Sequence, residues 1–475
     1  MNSWIQFPRG CFPRPFYSTA AITVSLLLPP LMSADVPLTE RQLTHSAGNH
    51  HLGDNDNFSP DDRWLVYDTR EAEPAIGANA VIAKVNVVTS EERTVYREPG
   101  QQPWGPGVGS AGYNPADGSV IIMRGLSSAT ADRPYDFTRR TGARILSECT
   151  LEMLDARDVV PPFTPGALRG GTHRPEWSAD GKWIGFTYED AILTDLAGAT
   201  GRKLNLRTFG VATSLGRPVT VRPGKENHDG TMFAVIIGRV TPDPRPGSDE
   251  IKRAFEDSWV GRNGYRHPDG HWQTRARAFL GTVVDRSGRE VVEVFVADIP
   301  DRIDVPDAAA PLEGTATGLP NPPRGVTQRR LTHTTGRKFP GVTLVPRHWV
   351  RSSADGQQIA YLAQDDAGIT QVYLVNPQTS AVTQVTRHET PIQSCVRWSP
   401  DGTCLVYVCG GAITVCGAKP GAANFGVSRQ LTTPSAQVPD FPVWSNAGNL
   451  IAFNRRVLTG GKWCKQVFVV PVALP

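Results

Sequence analysis

"RPEWSADGKW", residues 174–183, reads as a strand, a tight turn and the start of a second strand. Ser178 offers a short side chain that bonds its own backbone, and Gly181 is free to take φ > 0, the combination a hairpin turn requires. Trp183, Phe186 and Tyr188 follow, so an aromatic-rich strand leaves the turn.

The device recurs as "FSPDDRWLVYD" around Asp61, "YNPADGSVIIM" around Asp117, "NHDGTMFAVII" around Asp229, "SSADGQQIAYL" around Asp355, "WSPDGTCLVYV" around Asp401 and "WSNAGNLIAF" around Ala447. Asp355, Asp401 and Ala447 stand 46 residues apart, whereas 126 residues separate Asp229 from Asp355. A four-stranded propeller blade takes about 40–50 residues. No such unit buries both faces alone, so stacking in a ring is the natural solution. The fold expected is all-β, a single seven-bladed β-propeller over 35–475. Six or eight blades are the alternatives, because the second and fourth copies match least.

A second repeat agrees. "RQLTH" (41–45), "RRLTH" (329–333), "TQVTRH" (383–388) and "RQLTT" (429–433) each precede a hairpin copy, as an outermost strand precedes the next innermost one. The first stands ahead of the first hairpin, so the N-terminal strand is expected to complete the last blade and remove an exposed edge.

These "WSPDG" copies resemble the WD40-like Pro-Asp repeats of TolB-type β-propellers. More narrowly, "GGTH" (170–173), "PGSDEIKRAFEDSWVG" (246–261), "PPRG" (322–325) and "PRHWVR" (346–351) resemble an uncharacterised bacterial branch of that class. The resemblance implies the fold. It implies no activity, because such repeats serve partner binding, polysaccharide chemistry and protease gating alike.

A net charge of +3 without a basic run argues against nucleic acid as a partner. At the N-terminus, Arg9 and Arg14 precede an apolar run, 20–28, and then Met32-Ser33-Ala34. Residues 1–34 therefore read as a secretory signal leading to the periplasm, or as an extension ahead of a true start at Met32 in a cytoplasmic protein. The run is too short to span a membrane. Six cysteines follow Cys11, four of them between 395 and 416, without zinc-site or redox spacing; they read as buried thiols.

The long interval holds an insertion, about 240–276. Ser248 followed by Asp249-Glu250 resembles a helix N-terminus, and Ile251, Ala254, Phe255 and Trp259 fall at helical spacing, so a short amphipathic helix is expected there. The Pro-, Ala- and Gly-rich segment 303–326 reads as an extended surface connection.

Function in a propeller sits where innermost strands open at a channel mouth. Seven residues before each turn Asp (or Ala447) stand Asp54, Ser110, His173, Arg222, His348, Ser394 and Asp440, all polar. His50, His51, Arg169, Arg174, Arg347 and Arg351 are neighbours. Such a mouth suits an anionic ligand or a divalent metal held by nitrogen and oxygen; a solvated rim is the plain alternative.

Two functions fit. One is a monomeric binding module for a protein, peptide or anionic glycan, with Asp54, Arg169, Arg174, Arg222, Arg347 and Asp440 as contacts. The other resembles oligogalacturonate lyases: His173 and His348 would hold a divalent metal, and His50 or His51 would act as third ligand or base. No nucleophile elbow, zincin motif or phosphate loop is present.

Overall fold

The computed structural model describes residues 39–472 and 474, apart from 202, 203 and 309. The segment read as a signal or extension, 1–34, lies outside the described residues.

Each S-x-D-G stretch closes its hairpin with one set of bonds. Ser178 N donates to Trp183 O at 2.8 Å, and Gly181 N, at φ 67°, donates to Ser178 O at 2.9 Å. Ser178 Oγ accepts from Trp183 N at 3.0 Å and donates to Asp180 Oδ1 at 2.5 Å. Ser59 with Asp61, Ser353 with Asp355 and Ser399 with Asp401 repeat the set. Ser399→Ala deletes the hydroxyl's bonds to Asp401 Oδ1 and from Thr403 N and Cys404 N, so we expect a loss of about 1 kcal/mol, measured as a lower denaturant midpoint.

The second repeat has an equally local cause. The threonine of each L-T or V-T pair ends the outer ladder by accepting a backbone N–H from the next strand inward. Val467 N to Thr44, Val294 N to Thr332 and Val372 N to Thr386 are each 2.9 Å, and Ile413 N to Thr432 is 3.0 Å. The preceding Leu43, Leu331, Val385 and Leu431 are buried.

Seven antiparallel sheets result, a seven-bladed propeller. Blade 1 has an inner segment, 51–58, bridged to Trp64–Asp68, then Val81–Asn86 and Glu92–Arg97. Blade 2 runs from Val108–Tyr113 to Thr150–Met153 and blade 3 from Gly170–Trp177 to Phe233–Ile236. Blade 4 comprises Ile251–Trp259, Ala276–Val284, Glu290–Asp298 and Thr327–Arg330. Blades 5 and 6 open at Arg351 and Arg397, and blade 7 at Asp440. Arg41–Gln42 is the fourth strand of blade 7, with Arg41 opposite Val469 and Gln42 opposite Phe468, which closes the ring as expected.

Neighbouring blades are tied at the turns. Trp259, Trp398 and Trp444 donate through Nε1 to Glu176 O, Arg351 O and Arg397 O of the preceding blade, at 3.2, 2.9 and 3.1 Å. Between blades 7 and 1, Asn446 Nδ2 donates to Ser59 O at 2.9 Å.

Three expectations are corrected. The "NHDG" turn does not open a blade: it leads into Phe233–Ile236, the outermost strand of blade 3. Ile251–Trp259, expected as a helix, is the innermost strand of blade 4. Register shifts between Ile251 and Ala254 and between Phe255 and Ser258 break the period of two, leaving apolar residues at spacings that imitate a helix. The one α-helix described, Ala191–Thr200, lies instead in blade 3, capped by Asp190, which accepts from Leu193 N at 2.8 Å. The connection 303–326 is irregular, but Ile303 and Leu312 are buried in the core, so it is not only a surface strap. The described cysteines are free thiols; Cys416 sits opposite Leu405 and Cys409 opposite Ala412.

Candidate functional site: an arginine-lined channel mouth

The innermost strands of blades 2, 3, 4 and 7 share a distortion just inside the channel. Ser110, Arg174, Glu256 and Phe441, each in a bulged stretch, take positive φ of 50–55°. A non-glycine residue there costs on the order of 1 kcal/mol or more, and such bulges re-aim side chains. Arg174 and Ser110 line the channel mouth, and Glu256 receives Arg347 Nε there at 2.9 Å.

Below the mouth, the channel is filled by buried charge. Arg351 reaches from blade 5 to Asp54 of blade 1 at 2.8 Å and to Glu176 of blade 3 at 2.6 Å. Arg277 of blade 4 donates to Glu176 at 3.1 Å and to Asp257, while Arg397 of blade 6 lies 3.3 Å from Asp54 and contacts Asp56. Arg174 stands 3.9 Å from Asp54 and 3.8 Å from Glu176. Contacts between blades 1 and 5, and between 3 and 5, cross the ring, so this network occupies its centre. Gly185 makes room for it: a Cβ there would lie 2.2 Å from Arg277 Nη1.

Burial alone would raise the carboxyls of Asp54 and Glu176, but the facing arginines, Arg351 first, outweigh it and hold both below their ordinary values. Burial and the neighbouring Arg351 bring the Arg174 guanidinium down to about 10.

The network separates two cavities. One, of about 540 Å³ on the turn face, is lined by Glu176, Arg351, Arg397 and the tryptophans at 177, 259, 398 and 444. The other, of about 750 Å³, is the mouth where strands begin. His173, Arg174, Arg140, Arg207, Arg347, Trp349, Tyr135 and Phe137 line it, with Asp54, Glu73 and Glu189.

Its cations are under-partnered. Arg140 Nε, Arg174 Nε, Arg207 Nε and Nη2, and His173 Nδ1 are buried without a hydrogen-bond partner. Arg207 lies 3.8 Å from Glu189 and feels the charge of Glu256. The guanidiniums of Arg174 and Arg347 lie 4.4 and 4.6 Å from the Trp349 ring. His173 is pushed well below its usual value by burial and then by Arg140, Arg207, Arg347 and Arg174, so its imidazole is neutral at neutral pH.

Of the residues singled out from sequence, Asp54, Ser110, His173, Arg174 and Arg347 therefore converge on the mouth; the others do not. His348 is buried, with Nε2 accepting from Leu362 N at 3.2 Å and Nδ1 3.1 Å from Pro346 O, so backbone takes both nitrogens. Arg222 is exposed and donates to Pro162 O at 3.1 Å; the register equivalent in blade 4 is Phe255. Arg169 pairs with Asp190 at 2.8 Å and anchors the 303–326 connection through Thr315 O and Gly318 O. Asp440 is paired with Lys465 at 2.5 Å. Ser394 caps its own blade, accepting from Val408 N at 2.8 Å. His50 lies in a cleft between blades 7 and 1, 3.2 Å from Glu92. His51 stands 3.5 Å from Glu73, and burial takes its pKa down to about 2.

Counting from the turns missed Arg140 and Arg207. Arg140 opens the third strand of blade 2 and Arg207 stands just before that of blade 3, each within an Arg-Thr pair, 140–141 and 207–208, and that shared pair is the signal that would have found them.

A family described as "Protein of unknown function (DUF3748)" matches residues 107–229, the stretch that holds Arg140, His173, Arg174 and Arg207. The uncharacterized protein YidR of Escherichia coli (strain K12) is 37% identical over 416 residues, covering 87% of this chain and 94% of the relative. The chain belongs to the YidR family. Among solved structures, an oligogalacturonate lyase in complex with manganese matches at 12% identity with a TM-score of 0.48, covering 92% of this chain and 97% of that one. TolB from Acinetobacter baumannii matches at 13% identity with a TM-score of 0.34, covering 88% and 83%. Neither description in the YidR family carries an activity. Among the described residues, no helix is long and apolar enough to cross a membrane.

Proposed function

We propose that this chain is a binding protein whose channel mouth takes a carboxylate-bearing ligand, an acidic sugar or short acidic oligosaccharide. The observation that carries the reading is the convergence of Arg140, Arg174, Arg207 and Arg347 on one cavity. Guanidiniums gathered in this way bind a carboxylate through charge-assisted, bidentate hydrogen bonds. A cavity of about 750 Å³ falls in the size range of ligand pockets. Tyr135 and Phe137 add ring faces suited to the apolar side of a sugar. The N-terminal apolar run would place this mouth in the periplasm.

Calorimetric titration with trigalacturonate, against neutral cellotriose, tests the reading. Acidic ligand is expected to bind, and Arg140→Ala or Arg207→Ala to weaken it about 30–100-fold, the cost of removing one partner of a buried charged contact. Equal binding of the neutral sugar, or unaltered affinity in both variants, would overturn it.

A divalent metal does not fit this mouth: four guanidiniums around His173 repel a cation, and backbone takes both nitrogens of His348. The same guanidiniums disfavour a protonated His173, so the arrangement supports binding of an anion rather than proton abstraction by that imidazole.

A further inference from the structure

The turn of blade 4 is where the repeat fails. In place of a four-residue turn, residues 260–276 form an excursion on the turn face, away from the arginine-lined mouth, with Val260 N returning to Ala276 O at 3.0 Å. Within it, Tyr265–Arg266 pairs with Trp272–Gln273, and His267 N donates to His271 O at 2.9 Å across the tip. The tip reads His-Pro-Asp-Gly-His, 267–271, and Gly270 supplies its φ of 91°.

This small hairpin gathers metal-ligand chemistry. His267, Asp269 and His271 each offer one ligand atom within 4.8 Å of the others, and no other group of three such residues does so among the described residues. Nδ1 of His267 is 3.0 Å and Nδ1 of His271 2.5 Å from the same oxygen, Asp269 Oδ1. The two imidazole rings are 4.5 Å apart. One divalent ion placed between these three atoms would be met by all of them at once.

A second feature lies outside the cluster. Nε2 of His267, the nitrogen facing away from Asp269, is 3.6 Å from Asp298 Oδ2. Asp298 is buried at the end of a core strand of blade 4, held by Tyr265 OH at 2.7 Å and Thr327 Oγ1 at 2.8 Å. A carboxylate behind a histidine is the arrangement that orients and strengthens a metal ligand.

We propose that the blade 4 hairpin binds one divalent ion of the zinc class through His267 Nδ1, Asp269 and His271, with Asp298 as the residue positioning His267. Two imidazoles and one carboxylate suit zinc rather than magnesium or calcium, which prefer oxygen alone. Three protein ligands leave a fourth tetrahedral position for water or an exchangeable ligand. The inference does not rest on the carbohydrate reading, because the two sites are built from different residues.

Untagged full-length chain, stripped with chelator and titrated with zinc chloride in competition with a chromogenic chelator, should bind one zinc per chain, and magnesium chloride should not compete. His271→Ala and Asp269→Ala, at exposed positions, should each weaken zinc at least tenfold without altering the metal-free melting temperature. Asp298→Asn should weaken it about 10–100-fold. Less than one zinc per chain, or unchanged zinc affinity in His271→Ala, overturns the proposal. Should Asp298→Asn disturb the metal-free fold, His271→Ala and Asp269→Ala decide the matter alone.

Discussion

Removing residues 39–46 should leave the chain without a stable native state. Leu43 would lose its fully buried place, a loss of about 2–3 kcal/mol. Thr44 would no longer accept from Val467 N at 2.9 Å or donate to Gln466 Oε1 at 2.6 Å, stranding buried polar groups at about 1–3 kcal/mol each. The sum rivals the roughly 5–15 kcal/mol that keeps a domain folded. Beyond the energy, Lys462–Pro471, the ten-residue strand with buried Val467, Phe468, Val469 and Val470, would become a bare edge open to pairing with other copies. Thermal denaturation and gel filtration check this: the truncated chain should melt far below the intact one or elute as aggregate. A melting temperature within a few degrees of the intact chain would show that blade 7 holds without its fourth strand.

Asp54→Ala should cost about 3–5 kcal/mol, the penalty for breaking a buried ion pair by removing one partner. Asp54 is met by arginines of three other blades, Arg174, Arg351 and Arg397, and its loss removes a carboxylate that all three share. Denaturant unfolding measures the cost, and Asp54→Ala combined with Arg351→Met should regain part of it by removing a stranded charge. If Asp54→Ala unfolds at the wild-type midpoint, the network does not hold the ring together. The same groups set an acid limit. Because the folded carboxyls of Asp54 and Glu176 lie below their unfolded values of 3.8 and 4.5, their stabilisation is complete above about pH 5 and is lost as pH falls through the depressed folded values.

The blades were legible because their signals are local. Most turns close with a serine, an aspartate and a glycine within four residues, Asp62 at φ 56° standing in for the glycine in blade 1, and a threonine after an apolar residue ends a ladder, so both leave recurring strings in the chain. Blade 4 was illegible for the opposite reason. Its turn is replaced by the 260–276 excursion and its inner strand carries two bulges, which erase the string and scramble the alternation. At the mouth, counting back from the turns placed Asp54, His173 and His348 at one register. It could not tell that His348 would spend its nitrogens on Leu362 and Pro346, or that Asp54 would be claimed from across the ring. The first outcome turns on how the neighbouring strand folds back onto His348, and the second on a partner far along the chain, Arg351, 297 positions from Asp54.

The seam between the first and last strands also sets a clock on biosynthesis. Thr44 finds Gln466 422 residues later, a span that takes about 20–80 s to synthesise at roughly 5–20 residues per second. Through that time the earliest-made strand has no neighbour to pair with, and each completed blade waits with one flank uncovered. The ring closes only after the last blade has left the ribosome, so until then the chain stands open with an unpaired edge.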